Sequence, residues 1–244
     1  MGNAVAGFLA ILAAFEGHVT VACWFILLAA LLDGLDGKIA RLSGSTSRFG
    51  IELDSLADFL SFGIAPAVVV YTIKLGDLGR WGSVISVLYI MAAAYRLARY
   101  NLLAESDEKK DFMGLPVPAA AMTLVGFIIF CYNIWGGLEY SEWLVSMIVL
   151  FAFLMVTQVE YDAIPDSFTT RQGRIKLLAL LVAGALVLAR PRLFLFPIML
   201  VYILSGVIRE LYRLFYLGVG KVTGRPSRLK RRRAARHDQD DQQQ

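Results

Sequence analysis

The chain of 244 residues has few of the side chains that disulfide frameworks and zinc sites require, with two cysteines and two histidines. Cys23 and Cys131 lie in separate apolar runs, which excludes a CxxC metal site and makes both thiols small hydrophobic side chains. His18 and His237 belong to no pattern typical of catalysis. A signal peptide's basic segment and small-residue cleavage site are also missing from the start. These absences argue against a disulfide-rich secreted domain and a zinc enzyme.

Apolar residues dominate what is present: 57% of the chain is hydrophobic and the mean hydropathy is +0.61. Soluble domains contain about 45–50% apolar residues. The composition therefore predicts an integral membrane protein. Because long polar stretches are missing before the C-terminal end, we expect one transmembrane domain over residues 1–217, followed by a basic, disordered cytoplasmic tail over 218–244.

Short polar turns divide the apolar sequence into segments of helical length. The predicted fold is an all-α, polytopic membrane helix bundle with about eight transmembrane helices. These are expected at 4–15, 19–42, 52–74, 82–103, 116–134, 142–158, 174–189 and 193–217. Pro191, between two arginines, predicts a tight turn between the last two helices.

Basic residues predict the orientation of this bundle. An even number of spans puts both termini on one side, and nearly all Lys and Arg residues then lie on that side, which the positive-inside rule makes cytoplasmic. Lys74, Arg80, Arg190 and Arg192 remain on the other side. The basic run 228–233 follows an apolar helix directly, so it is expected to bind anionic phospholipids and no nucleic acid.

Four carboxylates lie in the second and third apolar segments: Asp33, Asp36, Asp54 and Asp58. At about 100° per residue, the first two share one helix face and the last two share another, and a hairpin would bring these faces together. Acids this close repel one another unless a cation compensates them, and an ionisable residue in a membrane segment is by default functional. Carboxylate oxygens favour hard ions such as Mg²⁺, Mn²⁺ or Ca²⁺.

Small and basic residues surround these acids. Gly37 and Ala40 lack the bulk that would block a ligand, and Arg41 offers a donor fork for phosphate oxygens. The polar connection 43–50 is suited to bending close to a phosphate. Together with the acids, this pattern predicts a site for a metal-bound diphosphate.

The spacing Asp-x2-Asp-Gly-x2-Ala-Arg-x8-Gly-x3-Asp-x3-Asp, from Asp33 to Asp58, resembles the signature of the CDP-alcohol phosphotransferases at every position. Stretches 61–66, 96–101 and 112–121 resemble the membrane-embedded phosphatidylserine synthases of that superfamily. The likeness covers roughly residues 2–160. It implies transfer of a phosphatidyl group from CDP-diacylglycerol to the hydroxyl of L-serine with release of CMP, in the inner membrane of a prokaryote and by a homodimer.

The resemblance also implies roles for individual residues. Two divalent ions would be held by Asp33, Asp36, Asp54 and Asp58, and Asp58 would be the general base. CDP-diacylglycerol would be bound by Gly37, Ala40, Arg41, Ser47 and Gly50.

The acceptor alcohol is less determined, because related enzymes use glycerol phosphate or inositol phosphate with the same acids. An ether-lipid donor is a further alternative. Enzymes with phosphorylated acceptors often carry Lys after the last Asp, where this chain has Phe59. Arg96 and Arg99 are candidates for binding the serine carboxylate, although positive-inside anchoring explains them equally well. A divalent-cation transporter is the alternative of another class. It is disfavoured because the acids lie at one end of the helices, whereas a transport path needs polar groups across the membrane.

Overall fold

A computed structural model describes the backbone of residues 2–43, 48–105, 114–157 and 171–221, and the side chains of 2–38, 49–102, 114–157 and 177–212. These residues form eight continuous helices without strands, which confirms the all-α prediction. The helices are α1 (Gly2–Phe15), α2 (Val19–Ser43), α3 (Arg48–Asp58), which continues through a π-helical turn (Phe59–Ile64) into α4 (Ala65–Ile73), α5 (Arg80–Glu105), α6 (Val117–Trp135), α7 (Ser141–Val156), α8 (Arg171–Ala189) and α9 (Pro191–Lys221).

Five of these helical segments are long and apolar enough to cross a membrane: 19–38, 49–73, 80–102, 117–135 and 191–212. Three shorter apolar segments, 2–15, 141–156 and 177–189, accompany them. The prediction of a polytopic membrane protein is thus confirmed. Segments 2–15 and 141–156 fall below the length of about 20 residues that crosses the hydrocarbon core. Segment 177–189 belongs to α8, which spans Arg171–Ala189. The turn at Pro191 also lies where its sequence predicts it, because α8 ends at Ala189 and α9 begins at Pro191.

Small residues let the N-terminal helix pack closely against its neighbours. Ala6, Ala10 and Ala14 of α1 are buried, and α1 lies against α2 and the π-helical turn. At Gly7 the approach is so close that a Cβ atom would lie 2.8 Å from the Cα atom of Ser61. Only a residue without a side chain fits this contact, as is typical of small-residue interfaces between membrane helices.

The helix formed by α3, the π-helical turn and α4 runs antiparallel to α5. Ser55 Oγ donates a hydrogen bond to Asn101 Oδ1 at 3.2 Å, and Asn101 Nδ2 donates one back to Ser55 Oγ at 2.9 Å. Gly63 lies eight residues after Ser55, and Ala93 lies eight residues before Asn101. A Cβ atom at Gly63 would lie 3.2 Å from the Cβ atom of Ala93. The two contacts fix the register, in which residue 58 lies opposite residue 98.

Residues 1–206 form one compact unit, in which α6 is the most buried of the five long spans. The Phe127 ring of α6 packs edge-on against Phe196 of α9, with the centroids 5.0 Å apart. Residues 207–221, which belong to a second unit, are helical. The predicted domain boundary at residue 217 stays a prediction, and the predicted basic tail beyond 221 lies outside the described residues.

Candidate active site

Three of the four predicted acids meet, one from α2 and two from α3. Asp33, Asp54 and Asp58 each offer a carboxylate oxygen, and these oxygens all lie within 4.8 Å of one another. The cluster forms because Asp54 and Asp58 are one helical turn apart on α3, where residues four apart share a face. Asp33 reaches them from α2.

The electrostatics of this cluster favour a divalent cation. Asp33 and Asp58 are only partly exposed, whereas Asp54 is open to solvent. Like charges at this separation repel one another, and partial burial weakens the screening by water. Three carboxylate oxygens match the ligand preference of Mg²⁺, Mn²⁺ or Ca²⁺. The residues present therefore fit a hard divalent metal.

The other residues predicted for the site are placed differently. Asp36 is exposed on α2 and does not belong to the group of three acids, so its role as a metal ligand stays a prediction. Gly37 is partly exposed on the same helix, and Gly50 is exposed near the start of α3. Ala40 and Arg41 lie in α2, but their side chains are outside the described ones, and Ser47 lies outside the described residues altogether.

Asn3 is a site residue that the sequence analysis missed. Its side chain is 1% exposed, and its Nδ2 atom donates a hydrogen bond to Asp58 Oδ1 at 2.8 Å. Its backbone carbonyl accepts a hydrogen bond from Ser61 Oγ at 3.0 Å. The available signal was an amide in the otherwise apolar sequence of α1, where a polar side chain needs a partner.

A π-helical turn begins directly after Asp58. Its wider spacing is seen in the hydrogen bond from the Ala65 backbone N–H to the Leu60 carbonyl, five residues earlier. The buried Tyr89 hydroxyl of α5 donates to the Phe62 carbonyl at 3.2 Å. Such turns change the helical register and are frequent at functional sites. Here the turn places Ser61 against α1 while Asp58 faces the other acids.

Of the two arginines predicted to bind the acceptor, Arg96 belongs to the face of α5 that packs on this helix. It follows Tyr89 and Ala93 at helical spacing, and its side chain is 7% exposed. Its guanidinium carbon lies 5.6 Å from the centroid of the Tyr100 ring. Arg99 is partly exposed and lies about 240° around the helix from Ala93, away from that face. The fold thus separates two arginines that the sequence left equivalent.

Comparisons with known proteins identify the family of the chain. The family model described as CDP-alcohol phosphatidyltransferase matches residues 1–157, which include all four predicted acids. The chain is 37% identical to a CDP-diacylglycerol–serine O-phosphatidyltransferase of Helicobacter pylori over 84% of this chain and 86% of that protein.

Two further relatives are more distant. The CDP-diacylglycerol–serine O-phosphatidyltransferase of Mycobacterium tuberculosis is 34% identical over 81% of this chain and 71% of the relative. An archaetidylserine synthase of Methanothermobacter thermautotrophicus is 35% identical over 67% of each. On the match over 1–157 and on these identities, the chain belongs to the CDP-alcohol phosphatidyltransferase family.

Proposed function

We propose that this protein transfers the phosphatidyl group of CDP-diacylglycerol to the hydroxyl of L-serine and releases CMP. The observation that carries the proposal is the cluster of Asp33, Asp54 and Asp58 oxygens within 4.8 Å of one another. The names of the relatives support serine as the acceptor and CDP-diacylglycerol as the donor.

The acids and the residues around them would bind the donor, CDP-diacylglycerol. Asp33, Asp36, Asp54 and Asp58 would hold two Mg²⁺ or Mn²⁺ ions, and such ions would neutralise a diphosphate and stabilise the charge on departing CMP. Gly37, Ala40, Arg41, Ser47 and Gly50 would contact the CDP moiety, with Arg41 supplying donors for phosphate oxygens.

Asp58 is the proposed general base. The serine oxygen bonds to the phosphatidyl phosphorus, the bond from that phosphorus to the CMP oxygen breaks, and the serine proton passes to Asp58. A carboxylate is a weak base for an alcohol, so the proton must move as the oxygen attacks. The hydrogen bond from Asn3 Nδ2 orients the Asp58 carboxylate for this step.

The position of Arg96 favours it over Arg99 as the residue that binds the serine carboxylate. Arg96 is buried on the α5 face that packs on the helix of Asp58. An arginine presents two parallel donors to a carboxylate, which fixes the orientation of the ligand. Phe59, at the position where phosphorylated acceptors are often met by Lys, supports an acceptor without a phosphate.

The remaining proposals concern the setting of the enzyme. The organisms of the relatives support a prokaryotic inner membrane, and the distribution of basic residues supports an active site that faces the cytoplasm. Anionic phospholipids around the basic tail and assembly into a homodimer stay predictions. The match to an archaetidylserine synthase keeps an ether-linked donor as an alternative.

Purified protein in detergent tests the function with labelled serine, CDP-diacylglycerol and Mn²⁺ or Mg²⁺. Equal amounts of labelled lipid and CMP are expected, and excess chelator should abolish both until metal is restored. Glycerol 3-phosphate, inositol phosphate and an ether-linked donor complete the panel. Preferential use of a phosphorylated acceptor would replace serine in the proposal, and full turnover in chelator would overturn the metal site.

A further inference from the structure

Two buried side-chain atoms have no hydrogen-bond partner in the part of the chain whose side chains are described. One is Asn3 Oδ1, an acceptor, and the other is Arg96 Nε, a donor. Leaving a buried polar atom unpaired costs about 1–3 kcal/mol, and more for a charged group. An unpaired buried atom in a native protein calls for an explanation, and a catalytic role or a bound group is one.

Both residues are held in place by their other contacts. Asn3 is fixed by its hydrogen bonds to Asp58 and Ser61, and the stem of Arg96 is covered by neighbours that include the turn before α6, where a Cβ atom at Gly114 would lie 3.4 Å from Arg96 Cδ. The unpaired atoms therefore do not result from loose side chains.

The fold places Asn3 against Asp58 and places Arg96 on α5, the helix that packs against the helix of Asp58. Asn3 bonds Asp58 directly. In the register fixed by Ser55 with Asn101 and Gly63 with Ala93, Arg96 lies opposite residue 60 of the antiparallel helix. This position is two residues from Asp58, a rise of about 3 Å. Asp58 lies about 60° around its helix from Ser55, the side that faces α5, so its carboxylate is between α1 and α5.

We propose that these two residues recognise the zwitterionic backbone of the acceptor amino acid: Asn3 Oδ1 accepts a hydrogen bond from its α-ammonium group, and the Arg96 guanidinium binds its α-carboxylate. This inference rests on the proposed function. The two contacts orient the hydroxyl of serine towards Asp58. They also give a reason for choosing an amino acid, since a glycerol or inositol phosphate lacks the ammonium group that Asn3 needs.

The test pairs each residue with an acceptor analogue that lacks its partner group. Serinol has no carboxylate, and 3-hydroxypropionate has no ammonium group. Dissociation constants of serine and both analogues would be measured by titration calorimetry on the purified full chain with Mg²⁺, for the unchanged protein, Asn3→Ala and Arg96→Gln. KM and kcat for serine would be measured in parallel.

Asn3→Ala is expected to weaken the binding of serine and serinol by at least about tenfold. It should weaken the binding of 3-hydroxypropionate by less than about twofold. Arg96→Gln should weaken the binding of serine and 3-hydroxypropionate and leave the binding of serinol unchanged. Asn3→Ala should also lower kcat, because Asp58 loses its hydrogen bond, whereas Arg96→Gln should act mainly on KM.

Ser86→Ala is the matched control, because Ser86 is a buried polar residue of α5 whose hydroxyl donates to the Gly82 carbonyl of the same helix. If Asn3→Ala does not fold, Asn3→Ser replaces it in the same measurements. Its side chain is shorter than that of Asn but keeps one oxygen that can donate or accept a hydrogen bond. Equal losses of binding for all three ligands would show that Asn3 and Arg96 only stabilise the fold, and this would overturn the inference. The proposed function would still stand if the unchanged protein turns over serine. A protein that makes no lipid from serine would overturn both.

Discussion

At the scale of single residues, Asp58 combines three features relevant to chemistry. It belongs to the three-acid cluster, accepts a hydrogen bond from a buried amide, and immediately precedes the π-helical turn. The sequence motif identifies the aspartate but gives no information on the amide, which lies 55 residues earlier in the chain. The proposed base is therefore supported by a residue outside the motif.

Replacing Asp58 with Asn should remove the proton acceptor while preserving the size of the side chain. Turnover is expected to fall by about 100-fold or more, the range in which general bases contribute. Binding of CDP-diacylglycerol should remain within about threefold, because the other acids still hold metal. Single-turnover kinetics and an equilibrium binding assay would measure the two effects. Loss of donor binding at an unchanged chemical rate would contradict the assignment.

At the scale of secondary-structure elements, α1 and the π-helical turn are joined by direct contacts. Gly7 allows α1 to touch Ser61, and the Ser61 hydroxyl bonds the Asn3 carbonyl. The position of Asn3 beside Asp58 thus depends on a close helix contact one turn further along α1. Hydropathy predicts both helices, but the contact between them depends on small residues that a hydropathy profile does not distinguish.

Gly7→Ala should separate α1 from the π-helical turn. The added Cβ atom would lie 2.8 Å from the Cα atom of Ser61, and overpacking of this kind costs about 1–3 kcal/mol. A lower melting temperature in detergent and a raised KM for serine are expected. Gly184→Ala in α8 is the control, since nothing lies within 4 Å of a Cβ atom there. Equal behaviour of the two variants would show that the α1 contact is dispensable.

Tyr89→Phe tests the π-helical turn from the side of α5. The change leaves the buried Phe62 carbonyl without the hydroxyl donor seen at 3.2 Å, so stability should fall by about 1–3 kcal/mol. Thermal unfolding would measure it. Tyr95→Phe, on the same helix with a side chain 51% exposed, should leave the melting temperature unchanged. A π-helical turn that needs no support from α5 would give the same result for both variants.

At the scale of the whole molecule, orientation in the membrane decides which compartment supplies serine. The acids lie in the second half of the 19–38 span and the first half of the 49–73 span, so they are nearer to the membrane side of the connection between these spans. The distribution of Lys and Arg predicts that this side is cytoplasmic. The Lys74 ammonium, on the opposite side, pairs with the Glu142 carboxylate at 2.7 Å, which raises the pKa of Lys74.

Cysteine labelling would test this orientation with little background, because Cys23 and Cys131 are both buried. Glu139→Cys, in the exposed connection between α6 and α7, should react with a membrane-impermeant maleimide in intact cells. Asp240→Cys, in the C-terminal tail, should react only after permeabilisation. The reverse pattern would place the acids on the outer side and contradict a cytoplasmic active site.

Hydropathy and spacing together determined the class of the protein, its helices and its acids. The 19–42 segment, for example, was predicted from its apolar run and is observed as Val19–Ser43. Such features are local, because burial in lipid and the 3.6-residue period act within a few turns. The family signature is also local, since its acids lie on two consecutive helices.

Tertiary structure decided the features that join distant parts of the chain. It brought Asn3 to Asp58, buried Arg96 and left Arg99 partly exposed, and placed a π-helical turn directly after the proposed base. The two arginines, Arg96 and Arg99, have the same chemistry and lie three residues apart, so only the packing of α5 on its neighbour distinguishes them. Hydrogen bonds between helices depend on register and rotation, and these are set by close packing of the whole bundle, which no single segment encodes.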